Sequence, residues 1–291
     1  MTKSFGRMEY PPLISHFTSV NELNNNKIWL SSGYGLVTLN QTSKSYKVEL
    51  RSDSRFCDGY CSMRGIDMDK YNNLWFASYS GIIRKSPSEM EVIDKLNSVV
   101  SNGIYSLHTI QDYVIVNDAL YHMLSTSVKE LIDDKQNGHV TNIVIPPNDI
   151  WMSTCFEDGN QIRVFNYNLK DKKLLKLELP DHLQNSGQLN NLIVSKDKTQ
   201  LYMCTSNSGT YVYDLNSKEF RWLSESTDKA INNESHYNLI DNGGRLFIGS
   251  ENQVVEIRKE NNNIEIYPYH IYSQREDIHL FGCISIFRKN L

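Results

Sequence analysis

The chain has 291 residues, 40% of them hydrophobic and 22% charged, with a formal net charge of -4. That balance describes a soluble globular protein and gives no basic footprint for a nucleic-acid partner. No stretch approaches the ~18 consecutive apolar residues that cross a bilayer as a helix, and the first residues, MTKSFGRMEYPP, lack the apolar core of a secretory leader.

One pattern returns along the chain. KIWLSSGYGLVTLN at 27–40 is an apolar run, a small polar corner with glycine, and a second apolar run. It is met again as NNLWFASYSGIIRKS at 72–86 and, without the glycine, as DYVIVNDALYHML at 112–124. NDIWMSTCFEDGNQIRVFNYN at 148–168, TQLYMCTSNSGTYVYDLN at 199–216 and GRLFIGSENQVVEIRK at 244–259 follow, and DIHLFGCISIFRKN at 277–290 closes the series with a shortened corner. Each run holds four to six residues rich in Val, Ile, Trp, Tyr and Phe and is broken by Gly, Asn or Ser, which is how strands and hairpins read.

The anchors Trp29, Trp75, Val114, Trp151, Tyr202, Phe247 and Leu280 recur at roughly 33 to 51 residues, the period of four-stranded propeller blades. The second copy writes a blade in full: strand A is GIDMD at 65–69, B is LWFAS at 74–78, C is GIIRK at 81–85 and D is MEVID at 90–94. In the fifth copy NLIVS, LYMCT, TYVYD and EFRWL take the same roles. The expectation is an all-β, seven-bladed β-propeller over 1–291 as a single domain. The last copy ends at Leu291 without an outer strand, and LISHF at 13–17, ahead of the first copy's own strand A near SVNEL, is expected to supply it and close the ring.

Cys57, Cys61, Cys155, Cys204 and Cys283 are odd in number and describe no disulfide framework. The three-residue spacer in RFCDGYC has no second ligand pair nearby, so unligated thiols are expected, with no metal and no cofactor. No nucleophile elbow, phosphate-binding glycine loop or paired metal-binding histidines on a helix occur, and the eight histidines are dispersed.

In a propeller the B–C turns and the D-to-A links between blades open on one face, and a ligand site is expected there. The turns carry Tyr34, Tyr79, Asn117, Glu157, Asp158, Asn207 and Glu251, and the links Arg55, Tyr60, Arg64, His139, His182, His236 and Arg275. Aromatic platforms flanked by planar hydrogen-bonding groups suit sugars. The candidate ligand-binding set is therefore Tyr34, Arg55, Tyr60, Arg64, Tyr79, His139, Glu157 and His236. The strand B tryptophans are expected to fill space between blades.

KIWLSSGYGLVTLN, NLWFASYSGIIRKS and RLFIGSENQVVEI resemble the two-component regulator propeller repeat, in which an Ile-Trp-Leu-Gly-Thr-like strand precedes Gly-Leu and an aromatic strand. Here Ser-Ser, Ala-Ser and Ser-Thr stand where that repeat has Gly-Thr. The resemblance covers almost the whole chain. It implies a periplasmic, non-enzymatic sensor propeller of the kind found in Bacteroidetes hybrid two-component systems, answering to an oligosaccharide and working with an attached kinase module or as a homodimer. Two other readings stand beside it: a protein-interaction scaffold, and a virginiamycin-type lyase. The lyase needs a metal with His139, His182 or His236 converging on Glu157.

Overall fold

The computed structural model describes residues 17–22, 27–32, 35–40, 42–43, 45–51, 65–78, 81–97, 106–146, 148–156, 161–223, 237–240, 246–249, 254–260 and 263–269. Among them the chain forms 24 strands in six four-stranded antiparallel sheets, each made of four strands consecutive in sequence. Sheet 1 is β1 (Phe17–Glu22), β2 (Lys27–Ser32), β3 (Gly35–Asn40) and β4 (Tyr46–Arg51). Sheet 2 is β5 (Ile66–Met68), β6 (Leu74–Ser78), β7 (Gly81–Lys85) and β8 (Met90–Val92), followed by the one-turn helix α1 (Asp94–Asn97). Sheet 3 is β9 (Leu107–Ile110), β10 (Tyr113–Val116), β11 (Ala119–His122) and β12 (Ser127–Glu130).

After the one-turn helix α2 (Asp134–Asn137), sheet 4 is β13 (His139–Val144), β14 (Asp149–Cys155), β15 (Arg163–Asn168) and β16 (Lys173–Leu177). The third one-turn helix, α3 (Asp181–Gln184), leads to sheet 5: β17 (Leu189–Val194), β18 (Gln200–Thr205), β19 (Thr210–Asp214) and β20 (Phe220–Trp222). Sheet 6 is β21 (Tyr237–Ile240), β22 (Leu246–Gly249), β23 (Val254–Glu260) and β24 (Asn263–Tyr269). The chain divides into two compact units, Met1–Leu131 with sheets 1 to 3 and Ile132–Leu291 with sheets 4 to 6.

The apolar runs are nearly continuous because these sheets are buried on both faces. Side chains alternate along a strand, so the two residue sets of one strand meet different neighbours. In the first unit, Leu74, Phe76 and Ile83 of sheet 2 pack with Leu36 and Leu50 of sheet 1, while Trp75, Ala77 and Ile82 pack with Leu107, Val114, Val116, Ala119 and Tyr121 of sheet 3. The second unit repeats the device: Leu201, Met203, Tyr211 and Tyr213 of sheet 5 meet sheet 4, and Tyr202, Cys204 and Val212 meet sheet 6. Fully burying one such side chain is worth about 1.5–3 kcal/mol, and Trp75, Phe76, Ile82 and Ile83 are each 0% exposed.

The two copies written out as blades carry all four strands in the expected places. Three of the eight strands have the expected bounds and the others differ by at most two residues at either end, because terminal residues such as Asp69 and Glu219 bond within turns and Asp94 opens α1. Phe17 opens β1, pairing with Ser32, so it belongs to the first sheet's own strand A and not to a separate closing strand. Residues 13–16 and the last copy at 277–290 lie outside the described residues. The third copy dispenses with glycine because Asn117 takes the left-handed turn conformation at φ 53°. Gly35 could not be so replaced: its φ of +146° is a glycine conformation, and a Cβ there would strike the backbone carbonyl of Leu50. The three one-turn helices were not anticipated, since four residues carry no readable period.

Turn chemistry recurs sheet by sheet. At the end of strand C, Asn40, Asn168 and Asp214 each accept two backbone N–H groups of the next turn through Oδ1 at 2.9–3.0 Å. Ser86 Oγ does this once for Glu89 N at 3.0 Å and His122 Nδ1 once for Ser125 N at 3.1 Å. Between strands A and B of sheet 2 the buried Asp69 carboxylate accepts four bonds: Tyr71 N at 2.8 Å, Asn73 N at 2.9 Å, Asn73 Nδ2 at 3.0 Å and the Trp75 indole Nε1–H at 2.7 Å. Sheet 5 uses a hydroxyl instead. Ser195 Oγ accepts Thr199 N at 3.2 Å and Gln200 N at 3.0 Å, and the phenol of Tyr202, at the position of Trp75, donates to Gln200 Oε1 at 2.6 Å.

Candidate functional site

In an antiparallel A-B-C-D sheet the A–B and C–D turns fall at one end, and the B–C turn and the link to the next sheet at the other. At the first end charges are met locally: Asp112 of sheet 3 takes the Tyr71 hydroxyl at 2.6 Å and Lys70 Nζ at 2.9 Å from sheet 2. Those two partners, Tyr71 first, hold the Asp112 carboxyl below its ordinary range. The B–C end is built differently, and the second unit describes it best.

There α2 and α3 are fastened to the B–C turns beside them. Thr154 Oγ1 donates to the carbonyl of Asn137 at 2.6 Å, Ile162 N to Gln184 O at 3.0 Å, and Ser206 N to Gln188 O at 2.9 Å. Gly138 permits the first attachment: at φ +78° it passes so close to the Cys155 carbonyl that a Cβ would collide.

Arg163, the first residue of β15, stands at this end of sheet 4. Its guanidinium carbon lies 4.5 Å from the Phe156 ring centroid. Nη1 donates to the Gln136 carbonyl and, at 3.4 Å, to Asn137 Oδ1, while Nη2 reaches Gln161 Oε1 at 3.4 Å. All these acceptors are neutral, and among the described residues no carboxylate stands within ion-pair distance. Nε is buried without a hydrogen-bond partner.

At the same end of sheet 5, Tyr211 and Trp222 face each other across β19 and β20 and stack with planes 4° apart at 5.7 Å. Trp222 Nε1 donates to Ser208 O at 2.8 Å, fixing the indole, and the exposed His182 of α3 lies 5.5 and 5.7 Å from the two rings.

Within each unit a polar contact joins the first strands of two neighbouring sheets. Asp67 Oδ2 accepts Thr109 N at 2.7 Å and its hydroxyl at 3.1 Å, and Asn142 Nδ2 donates to Leu189 O at 2.8 Å. His108, beside Thr109, is held below its ordinary pKa by burial, with the Asp67 charge opposing.

Of the expected ligand-binding set, Tyr34, Arg55, Tyr60, Arg64, Tyr79, Glu157 and His236 lie outside the described residues. His139 is exposed at the start of β13, paired in register with Cys155. Arg163 pairs with Thr154, one residue along β14, so alternation turns the His139 and Arg163 side chains to opposite faces of sheet 4. Asn117 fastens its B–C turn to the segment entering β9, its Oδ1 accepting Ser106 N at 3.2 Å and its N–H donating to Ser106 O at 3.2 Å, and Asn207 is exposed. Cys155 and Cys204 are buried thiols, Cys204 Sγ lying 3.0 Å from Thr210 Oγ1, and burial drives the Cys204 thiol far above its ordinary range. Sequence reasoning missed Arg163 and Phe156. The signal was a lone arginine closing the FEDGNQIR turn, which only the α2 attachment distinguishes from any surface arginine. Among the described residues no group of three His, Cys, Asp or Glu side chains could hold a metal ion, and no helix is long and apolar enough to cross a membrane.

By sequence, no family model and no curated protein matches the chain. By structure it is similar to the extracellular domain of a Bacteroides thetaiotaomicron protein assigned to a hybrid two-component system, with 14% identity, 92% of this chain and 35% of that one covered, and a TM-score of 0.61. A second such domain from B. thetaiotaomicron matches at 14% identity over 91% of this chain and 42% of that one, with a TM-score of 0.57. The WD40 repeats of RRP9 match at 10% identity over 87% and 81%, with a TM-score of 0.59. The fold is thus propeller-like, a succession of four-stranded antiparallel sheets, and the chain spans about a third of the first extracellular domain's length.

Proposed function

We propose that the chain is a seven-bladed, closed sensor propeller of a two-component signalling system, binding an oligosaccharide in the periplasm without transforming it. The observation that carries this reading is the fold likeness over nine-tenths of the chain to extracellular domains assigned to such systems, in a chain whose repeats resemble theirs. Sheet 6 supports the seventh blade. Leu246, Ile248, Val255 and Ile257 pack toward sheet 5, and the alternate residues Phe247 and Glu256, on the other face, are 5% and 0% exposed. A sheet buried on both faces requires a neighbour on each side. The last repeat copy, joined by the N-terminal strand, is the proposed occupant.

Thermal unfolding across a panel of neutral and acidic oligosaccharides tests the ligand class. A ligand bound by the native state alone raises stability by about 2.7 kcal/mol at a hundred times its Kd. The expected result is a concentration-dependent rise in Tm with one class of glycan whose composition is unchanged after incubation. A flat response across the panel overturns the carbohydrate reading, and turnover of the bound glycan overturns the non-enzymatic one.

A further inference from the structure

Buried donors without partners are uncommon in folded proteins, and each asks for a physical reason. Arg163 Nε is one. Its neighbours fix the guanidinium on three sides: the Phe156 ring against its face, α2 on Nη1 through the Gln136 carbonyl and Asn137, and Gln161 on Nη2. The weakest of these is the Gln161 contact, at 3.4 Å from an exposed residue. A half-buried cation held among neutral groups, with one donor edge loosely covered, is a preorganised place for an anion.

We infer that Arg163 recognises a carboxylate of the sensed ligand, the uronic-acid group of an acidic oligosaccharide, when the Gln161 side chain swings off the Nε–Nη2 edge. The inference rests on the sensor reading above and names the chemical class of its ligand. A planar carboxylate matches two parallel N–H donors on one guanidinium edge, which a lysine ammonium does not reproduce. The carboxylate gives Nε its missing partner and the guanidinium a counter-charge that no described residue supplies. Phe156 keeps the guanidinium plane in place, and α2 keeps Nη1 occupied, so the free edge is the one turned toward Gln161. Arg163 is on this account a binding residue, and Gln161 a displaceable cover.

The test measures binding of galacturonate and glucuronate oligosaccharides, and of neutral oligosaccharides of the same length, to the wild-type chain and to Arg163→Gln, Arg163→Lys and Gln161→Ala. Loss of the two parallel guanidinium hydrogen bonds is expected to weaken acidic-ligand binding roughly 10- to 100-fold, with Arg163→Lys, which keeps the charge, at the lower end and Arg163→Gln at the upper. Gln161→Ala is expected to bind at least as tightly as wild type. Circular dichroism and Tm of the free variants report their folding, and Arg163→Lys keeps the charge should Arg163→Gln not fold. Unchanged acidic-ligand affinity in a folded Arg163 variant overturns the inference and leaves Arg163 as an anchor for α2. Wild-type binding of neutral but not acidic oligosaccharides overturns it while the sensor reading stands. Binding of neither class overturns both.

Discussion

In the described turns of sheets 1 to 5, the two ends of a sheet use their polar side chains differently. At the A–B and C–D end, polar side chains are consumed by the turns that contain them: Asn40, Asp69, Ser86, His122, Asn168, Ser195 and Asp214 each accept the amides of their own turn. At the B–C and link end, side chains reach between segments, and no carboxylate among the described residues pairs with Arg163. A turn that satisfies itself can be repeated sheet after sheet and holds the repeat together. A link that must bridge two sheets can vary, and variation there is where recognition is affordable.

The largest expected effect is at the self-satisfied end. Asp69→Ala removes four accepted bonds and leaves the Trp75 indole N–H buried without a partner, so unfolding in urea should lose about 3 kcal/mol or more. Loss below ~1 kcal/mol would mean that this turn is not a structural keystone. Ser195→Ala, the corresponding change in sheet 5, should cost about 1–2 kcal/mol, since a neutral hydroxyl accepts fewer and weaker bonds than a carboxylate. Reversal of that order in chemical denaturation would break the equivalence of the two turns.

At the other end the same kind of substitution should register in stability only weakly. Arg163→Gln is expected to lower stability by less than about 1 kcal/mol, because its bonds are long or lie at the surface. A loss as large as that of Asp69→Ala would erase the contrast between the ends.

The smallest effect lies between them, on the first strand of sheet 3. Burial lowers the His108 pKa from 6.5, so its contribution is fully present above that value and is lost as pH falls below it, where the unfolded chain takes up the proton more readily. Tm of the wild type should therefore drop more between about pH 7.5 and about pH 5.5 than that of His108→Gln, whose side chain does not titrate. Parallel pH profiles would show that His108 is as solvated folded as unfolded.

Much of the fold is legible in the chain itself. Strands B and C of six copies announced themselves through unbroken apolar runs such as LWFAS and LYMCT, because a strand buried on both faces has no polar alternation to confuse the reading. The weak third copy was also found, although Asn117 had replaced its glycine, since asparagine tolerates the same left-handed turn. Short outer strands such as Met90–Val92 and the helical links were blurred, being too brief for a period to appear.

The candidate site was far less legible. His139 drew notice by residue type, yet the register sends its side chain away from Arg163, which residue type had passed over. Nothing local in QIRVF distinguishes an arginine that stacks on Phe156 and fastens α2 from one that floats in solvent.

The sequence alone determined the four-stranded repeat, its spacing and its apolar anchors, because burial on both faces writes a pattern that any order of tertiary contacts preserves. The tertiary structure alone decided which polar groups are spent in turns and which remain open. That depends on where α2 and α3 come to rest, and hydrogen bonds between segments 17 to 26 residues apart leave no periodic trace in the chain.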